Sequence, residues 1–145
     1  MSAPALDARE VTEFLEEIWP GVTSTLTIEE VTDRGARVRM TASPDRLRPG
    51  GIVSGPALMS LADTAIWVAV LGVIGRVAMA VTADLTIHFL RPAPPADIIG
   101  VAHLHKVGRR LAVGDVLIYT DGAPEPIAHA TVTYAIPPGA GPAPQ

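Results

Sequence analysis

From Gly55 to Leu71 the chain reads GPALMSLADTAIWVAVL, a stretch whose one charge is Asp63. A helix that is apolar on every side has no face for water and must be wrapped by the rest of the protein. Ser54, just before it, is an N-cap residue, and Pro56 suits the first turn, where its missing N–H has no intrahelical partner. Gly72 and Gly75 mark the expected end. The stretch contributes to a mean hydropathy of +0.34, which raises the question of a membrane. Its longest apolar run, between Asp63 and Arg76, is too short for a bilayer, which needs ~20 residues. The acidic N-terminus has no basic segment leading into an apolar one, so it does not read as a secretory signal. A cytoplasmic protein that does not enter membranes is the expectation.

The wrapping material lies on both sides of this helix. From Asp7 to Trp19, Val11, Phe14, Leu15 and Ile18 recur at helical spacing among Glu10, Glu13, Glu16 and Glu17, and Pro20-Gly21 closes the segment. Two β-rich segments follow, Val22–Val31 and Ala36–Ala42, joined by Thr32-Asp33-Arg34-Gly35. Ser43–Ser54 is a Pro- and Gly-bearing loop. After the helix come four strands: Val77–Leu90, Ala96–Val107, Arg109–Thr120 and Pro126–Ile136. In the first of these Val81, Ala83, Leu85, Ile87 and Phe89 alternate with Thr82, Asp84, Thr86 and His88. This order predicts an α+β fold, an antiparallel meander curled around one long helix. A chain of 145 residues holds one such domain, expected over residues 1–136, with a flexible Pro/Gly/Ala tail over 137–145.

Hydrophobic residues make up 48% of the chain and charged ones 18%, more apolar surface than one small subunit buries. A sheet also has a second face and two edges that another copy could cover, so a homodimer or homotetramer is expected.

With no cysteine, disulfides, thiolate metal sites and cysteine nucleophiles are excluded. A net charge of -4 argues against a nucleic-acid backbone as main partner. Asp63 is the chemical anomaly, because a carboxylate in an apolar helix must be paired, protonated or open to a cleft. The Gly-rich loop Pro49–Gly55 delivers bare backbone to the start of the same helix, where N–H groups are unpaired and the dipole is positive. Gly55 N–H could hold a carbonyl oxygen as an oxyanion hole does. A capped helix start and a carboxylate at the helix's one open side are the plain alternatives.

Gly51-Ile52-Val53-Ser54-Gly55-Pro56, followed by Leu61-Ala62-Asp63-Thr64-Ala65, resembles the signature of hotdog-fold acyl-CoA thioesterases of the phenylacetate-degradation type. Val81–Pro92, Gly108-Arg109-Arg110 and Ala128–Tyr134 agree with it in order and spacing. The resemblance implies a hotdog fold and an acyl-CoA substrate, with Asp63 as nucleophile or general base and Gly55 N–H polarising the thioester carbonyl. It also implies that Thr82 enters the site across a dimer to orient water; an ordinary cross-strand threonine is the alternative. Two departures stand out: Ser54-Gly55-Pro56 replaces the family's usual His-Gly-Gly, and Arg48 aligns with a loop position often held by Asn. Ser54 keeps a hydroxyl at the site, and Arg48 and Gly51 are candidate substrate contacts in the loop.

Arg91, Arg109 and Arg110 are candidates for the phosphates of coenzyme A, since guanidinium pairs well with phosphate. Solvated turn arginines are the alternative. His103 and His105 share a strand face at a spacing open to a metal, but no third ligand is near in sequence, so no metal or cofactor is expected. Ser54 does not sit in a G-x-S-x-G elbow. Thioester hydrolysis leads; a non-catalytic acyl-CoA-binding protein comes second, and a hotdog hydratase last.

Overall fold

The computed structural model describes residues 2–142. Helix α1 (Ala8–Ile18) opens with a reciprocal cap: Glu10 N–H donates to the Asp7 side chain and Asp7 N–H to the Glu10 carboxylate, both at 2.8 Å. It buries Val11, Phe14 and Leu15, as their spacing requires. The strand expected from Val22 starts later. Gly21, at φ 90°, launches a 3-10 turn over Val22–Ser24, and β1 (Leu26–Val31) follows it. β1 pairs antiparallel with β2 (Gly35–Met40). Within the loop, β3 (Leu47–Arg48) and β4 (Ile52–Val53) form a two-residue ladder closed by Pro49, Gly50 and Gly51.

Helix α2 spans Gly55–Ile74, 20 residues, with Ser54 as N-cap and Gly75 as C-cap. It therefore runs three residues beyond Leu71. Gly72 does not end it; a Cβ there would stand 2.5 Å from Val31 Cγ1, so glycine permits close contact with β1. By length and composition α2 could cross a membrane, yet 61% of its most apolar window is buried inside the protein. Leu61, Ala62, Ala65, Ile66, Val68, Ala69, Val70 and Leu71 are all fully buried.

Four long strands complete the fold: β5 (Val81–Phe89), β6 (Ile98–Val107), β7 (Leu111–Thr120) and β8 (Pro126–Ala135). The six-stranded antiparallel sheet has the order β1-β2-β6-β7-β8-β5 and wraps α2. The expected four-strand meander is corrected: β6, β7 and β8 run in sequence, whereas β5 crosses to the far side of β8 and forms an edge. There Val81 and Phe89 are about half exposed, so their burial by alternation alone is not realised within one chain.

At one end of the outer sheet, Arg39 gathers Glu29 at 2.9 Å, Asp97 at 3.2 Å and Asp121 at 2.9 Å. Beyond β8, Ala140 N–H donates to the Pro137 carbonyl at 3.1 Å and Ala140 packs on the core. Residues 143–145 of the expected tail lie outside the described residues.

Candidate active site

Asp63 is half-buried on α2, and two hydroxyls converge on one of its oxygens. Thr82 Oγ1 donates to Asp63 Oδ1 at 2.5 Å, and Tyr134 Oη donates to the same atom at 2.7 Å. Tyr134 Oη also stands 3.2 Å from the Asp63 carbonyl oxygen. Bonds to an ionised acceptor are shorter and stronger than neutral ones, which fits these lengths.

The sheet explains how Thr82 gets there. Thr82 is the register partner of Tyr134 and Asp84 that of Thr133, which leaves Ala83 as an extra, unpaired residue. A bulge of this kind moves every residue before it to the other face. Thr82 therefore shares the inner face with Leu85 and Ile87, and it is not on the polar face with Asp84, Thr86 and His88. Thr82 bonds Asp63 of its own chain.

Tyr134 had no expected role. The signal was the inward alternation Ala128, Ala130, Val132, Tyr134, all buried, since a phenol turned into a core needs a partner for its hydroxyl. Burial pushes the Tyr134 hydroxyl well above the ordinary tyrosine range; the Asp63 carboxylate adds to this and Thr82 opposes it. Its proton stays on at neutral pH, and it acts as a donor.

Gly55 lies eight positions before Asp63 on the same helix, about 12 Å along the axis. Its backbone is the open donor of that terminus. Pro56 has no N–H, Ala57 N–H is taken by Ser54 Oγ at 3.3 Å, and Leu58 N–H by the Ser54 carbonyl at 3.3 Å. Ser54 Oγ thus serves as the N-cap acceptor. Gly55 faces a groove of about 470 Å³ that Arg48, Ile52, Leu58, Phe89 and Arg91 also line. Arg48 Nε donates to the Pro49 carbonyl at 3.1 Å. Arg91 donates to the Pro126 carbonyl and lies 3.6 Å from the Glu125 carboxylate. Gly51 N–H closes the β3–β4 turn on the Arg48 carbonyl at 3.0 Å.

The candidate residues thus fall into two groups in one chain. Arg48, Gly51, Ser54, Gly55 and Arg91 gather at the Phe89 end of β5. Asp63 and Thr82 sit at its Val81 end, about 20 Å away along the strand. Arg109 and Arg110 are exposed in the β6–β7 turn near that second group, with the Arg110 carbonyl accepting from Ile136 N–H at 2.8 Å. His103, His105 and His129 form a separate cluster outside the wrap. Asp115 joins His105 at 3.3 Å and His129 at 3.0 Å, and His103 stacks edge-on against His105. Among the described residues no three ligating side chains converge on a metal position.

The family model described as the thioesterase superfamily matches residues 50–127, from the Gly-rich turn through β8's first residues. The chain belongs to the thioesterase superfamily. Its six-stranded sheet around one helix is the hotdog fold of that superfamily. A provisionally named thioesterase from Silicibacter sp. TM1040 is 38% identical, with a TM-score of 0.86 over 93% of this chain and 94% of that one. Thioesterase superfamily member 2 of zebrafish is 22% identical, with a TM-score of 0.79 over 92% of this chain and 100% of that one. A variant of the phenylacetic acid degradation protein of Thermus thermophilus is 23% identical, with a TM-score of 0.67 over 86% of this chain and 98% of that one. At these last two identities the likeness is one of fold. No curated protein matches the chain significantly.

Proposed function

We propose that this superfamily member is an acyl-CoA thioesterase of the phenylacetate-degradation type, acting on small or medium, including aromatic, acyl groups. Asp63 carries the reading: one carboxylate on an apolar helix, oriented by two hydroxyls through a single oxygen. Such a group can attack a thioester carbonyl or take a proton from an attacking water.

The carbonyl needs a donor as well, and Gly55 of the same chain is too far to share one thioester with Asp63. A second copy supplies it. The outer edge of β5 is unpaired, and antiparallel pairing of two β5 edges about Leu85 and Thr86 would bring the Phe89 end of one strand beside the Val81 end of the other. Gly55 of the partner subunit would then face Asp63, with the partner's Arg48 and the partner's Arg91 beside it for coenzyme A. Two equivalent sites per dimer follow from the two-fold axis. The apolar surface left exposed on Val81, Met59 and Phe89 supports such an interface.

A thiol-release screen of short, aromatic and long acyl-CoAs tests the reading, with Asp63→Asn as control. Thiol release by the parent and its loss in the variant, by about 100-fold or more, is the expected result. Equal rates in parent and variant overturn the mechanism. Acyl-CoA binding without thiol release supports the non-catalytic alternative, which the engagement of Ser54 Oγ in capping and of Arg48 on its own loop favours.

A further inference from the structure

The two oxygens of Asp63 are not equivalent. Both donors, Thr82 Oγ1 and Tyr134 Oη, fall on Oδ1, and among the described residues no donor bonds Oδ2. Each hydroxyl has one proton to give. The shorter of Tyr134's two contacts is to Oδ1, so the proton goes there, and the carbonyl at 3.2 Å is the lesser contact. A carboxylate oxygen that accepts two strong bonds has given up its in-plane lone pairs; the other oxygen keeps both.

The surroundings favour this arrangement. Tyr134 is only 4% exposed, and its ring is packed among the inward residues of β8. Thr82 stands opposite it by the register of the sheet, at the bulge. Rotation of the Asp63 carboxylate out of this position would break two hydrogen bonds at once.

We infer that Tyr134 is a positioning residue which, together with Thr82, ties down Oδ1 of Asp63 and leaves Oδ2 as the oxygen that reacts. The inference rests on the thioesterase reading and deepens it. On the general-base route, Oδ2 takes a proton from water while the water oxygen bonds to the thioester carbon. The C–S bond then breaks and the departing sulfur receives that proton from Oδ2. On the nucleophilic route, Oδ2 itself bonds to the carbonyl carbon and coenzyme A leaves as the thiolate. Water then cleaves the mixed anhydride, returning the Asp63 carboxylate and releasing the carboxylic acid, whose proton balances the thiolate. In both routes Oδ1 stays hydrogen-bonded throughout, so Tyr134 never gives up its proton.

The experiment compares the parent with Tyr134→Phe, Thr82→Val, Thr82→Ser and the double variant Tyr134→Phe/Thr82→Val, in the same thiol-release assay. The expected fall in kcat is about tenfold for each single variant, with KM nearly unchanged, because the lost interactions orient the reacting group. Both hydroxyls hold one oxygen, so the loss in the double variant should differ from the product of the single losses. Thr82→Ser, which keeps the hydroxyl, should restore the parental kcat. A Tyr134→Phe variant with lowered Tm but parental kcat per folded molecule overturns the inference while leaving the thioesterase reading intact. Absence of thiol release by the parent overturns both.

Discussion

The ring of Phe89 stands 3.3 Å from where a Cβ on Gly55 would be. The last residue of β5 thus roofs the first residue of α2, and the opening to the Gly55 N–H is as narrow as that ring allows. Gly55→Ala should lower kcat/KM by about tenfold or more, since an oxyanion donor is worth about 100-fold when removed and a methyl group here obstructs it. Tm should change little, because the ring is half exposed and free to shift. An alanine variant with full activity would remove Gly55 from the site.

Deletion of Ala83 tests the bulge. Without the extra residue, Asp84 still pairs with Thr133 and Thr82 with Tyr134, so Thr82 stays on the inner face within reach of Asp63. Activity should stay near the parental level, and adding Thr82→Val to the deletion should lower it as it does in the parent chain. A loss on deletion as deep as that of Thr82→Val would show that the local kink of the bulge aims the hydroxyl.

Packing between α2 and β1 has its own test. Gly72→Ala puts a methyl group 2.5 Å from Val31 Cγ1, an overpacked contact that should cost about 1–3 kcal/mol in denaturant unfolding. Val31→Ala in the same chain should recover most of it. An unchanged midpoint in Gly72→Ala would mean that the helix moves freely against β1.

Acid should weaken the sheet through Arg39. Its guanidinium holds the Glu29 and Asp121 carboxyls below their usual range by hydrogen bonding. A carboxyl lowered in the folded state binds fewer protons than in the unfolded chain as pH falls, so its stabilisation is complete at neutral pH and disappears through the acid range. Tm should drop between pH 7 and pH 3 in the parent, and less steeply in Arg39→Met. High salt should reduce the difference, as these groups are largely exposed. Parallel Tm curves would exclude the network as the cause.

Thr86→Asp tests the two-fold pairing at its centre, where like charges would face each other across the axis. Sedimentation velocity should show a shift toward monomer, with thiol release falling in proportion. A stable, active dimer would require a different interface.

Much of this architecture is visible in the residue pattern, for reasons that are local. The apolar run around Asp63 demands a wrapped helix, and alternation along Ala36, Val38 and Met40 demands a strand with one buried face. Asp63 stands out because a charge there contradicts its neighbours. Relationships set by register are a different matter. Tyr134 meets Asp63 across 71 residues because β8 packs against α2, and Thr82 joins them because β5 crosses to β8 and a single bulge turns Thr82 inward. Simple alternation assigns Thr82 to the opposite face. Likewise, nothing in the spacing of Arg91, Arg109 and Arg110 tells that the first sits beside the Gly55 groove and the other two at the far end of the sheet.

The free edge of β5 has a consequence before any chemistry begins. A solitary, newly made chain shows the solvent a nine-residue rim of backbone donors and acceptors, with half-exposed Val81 and Phe89 near its ends. Such a rim adds strands from whatever it meets first. Under the proposed pairing, sister chains shield it, and high dilution prolongs its exposure. Recovery of intact protein after dilution from denaturant should therefore depend on finding its own kind in time.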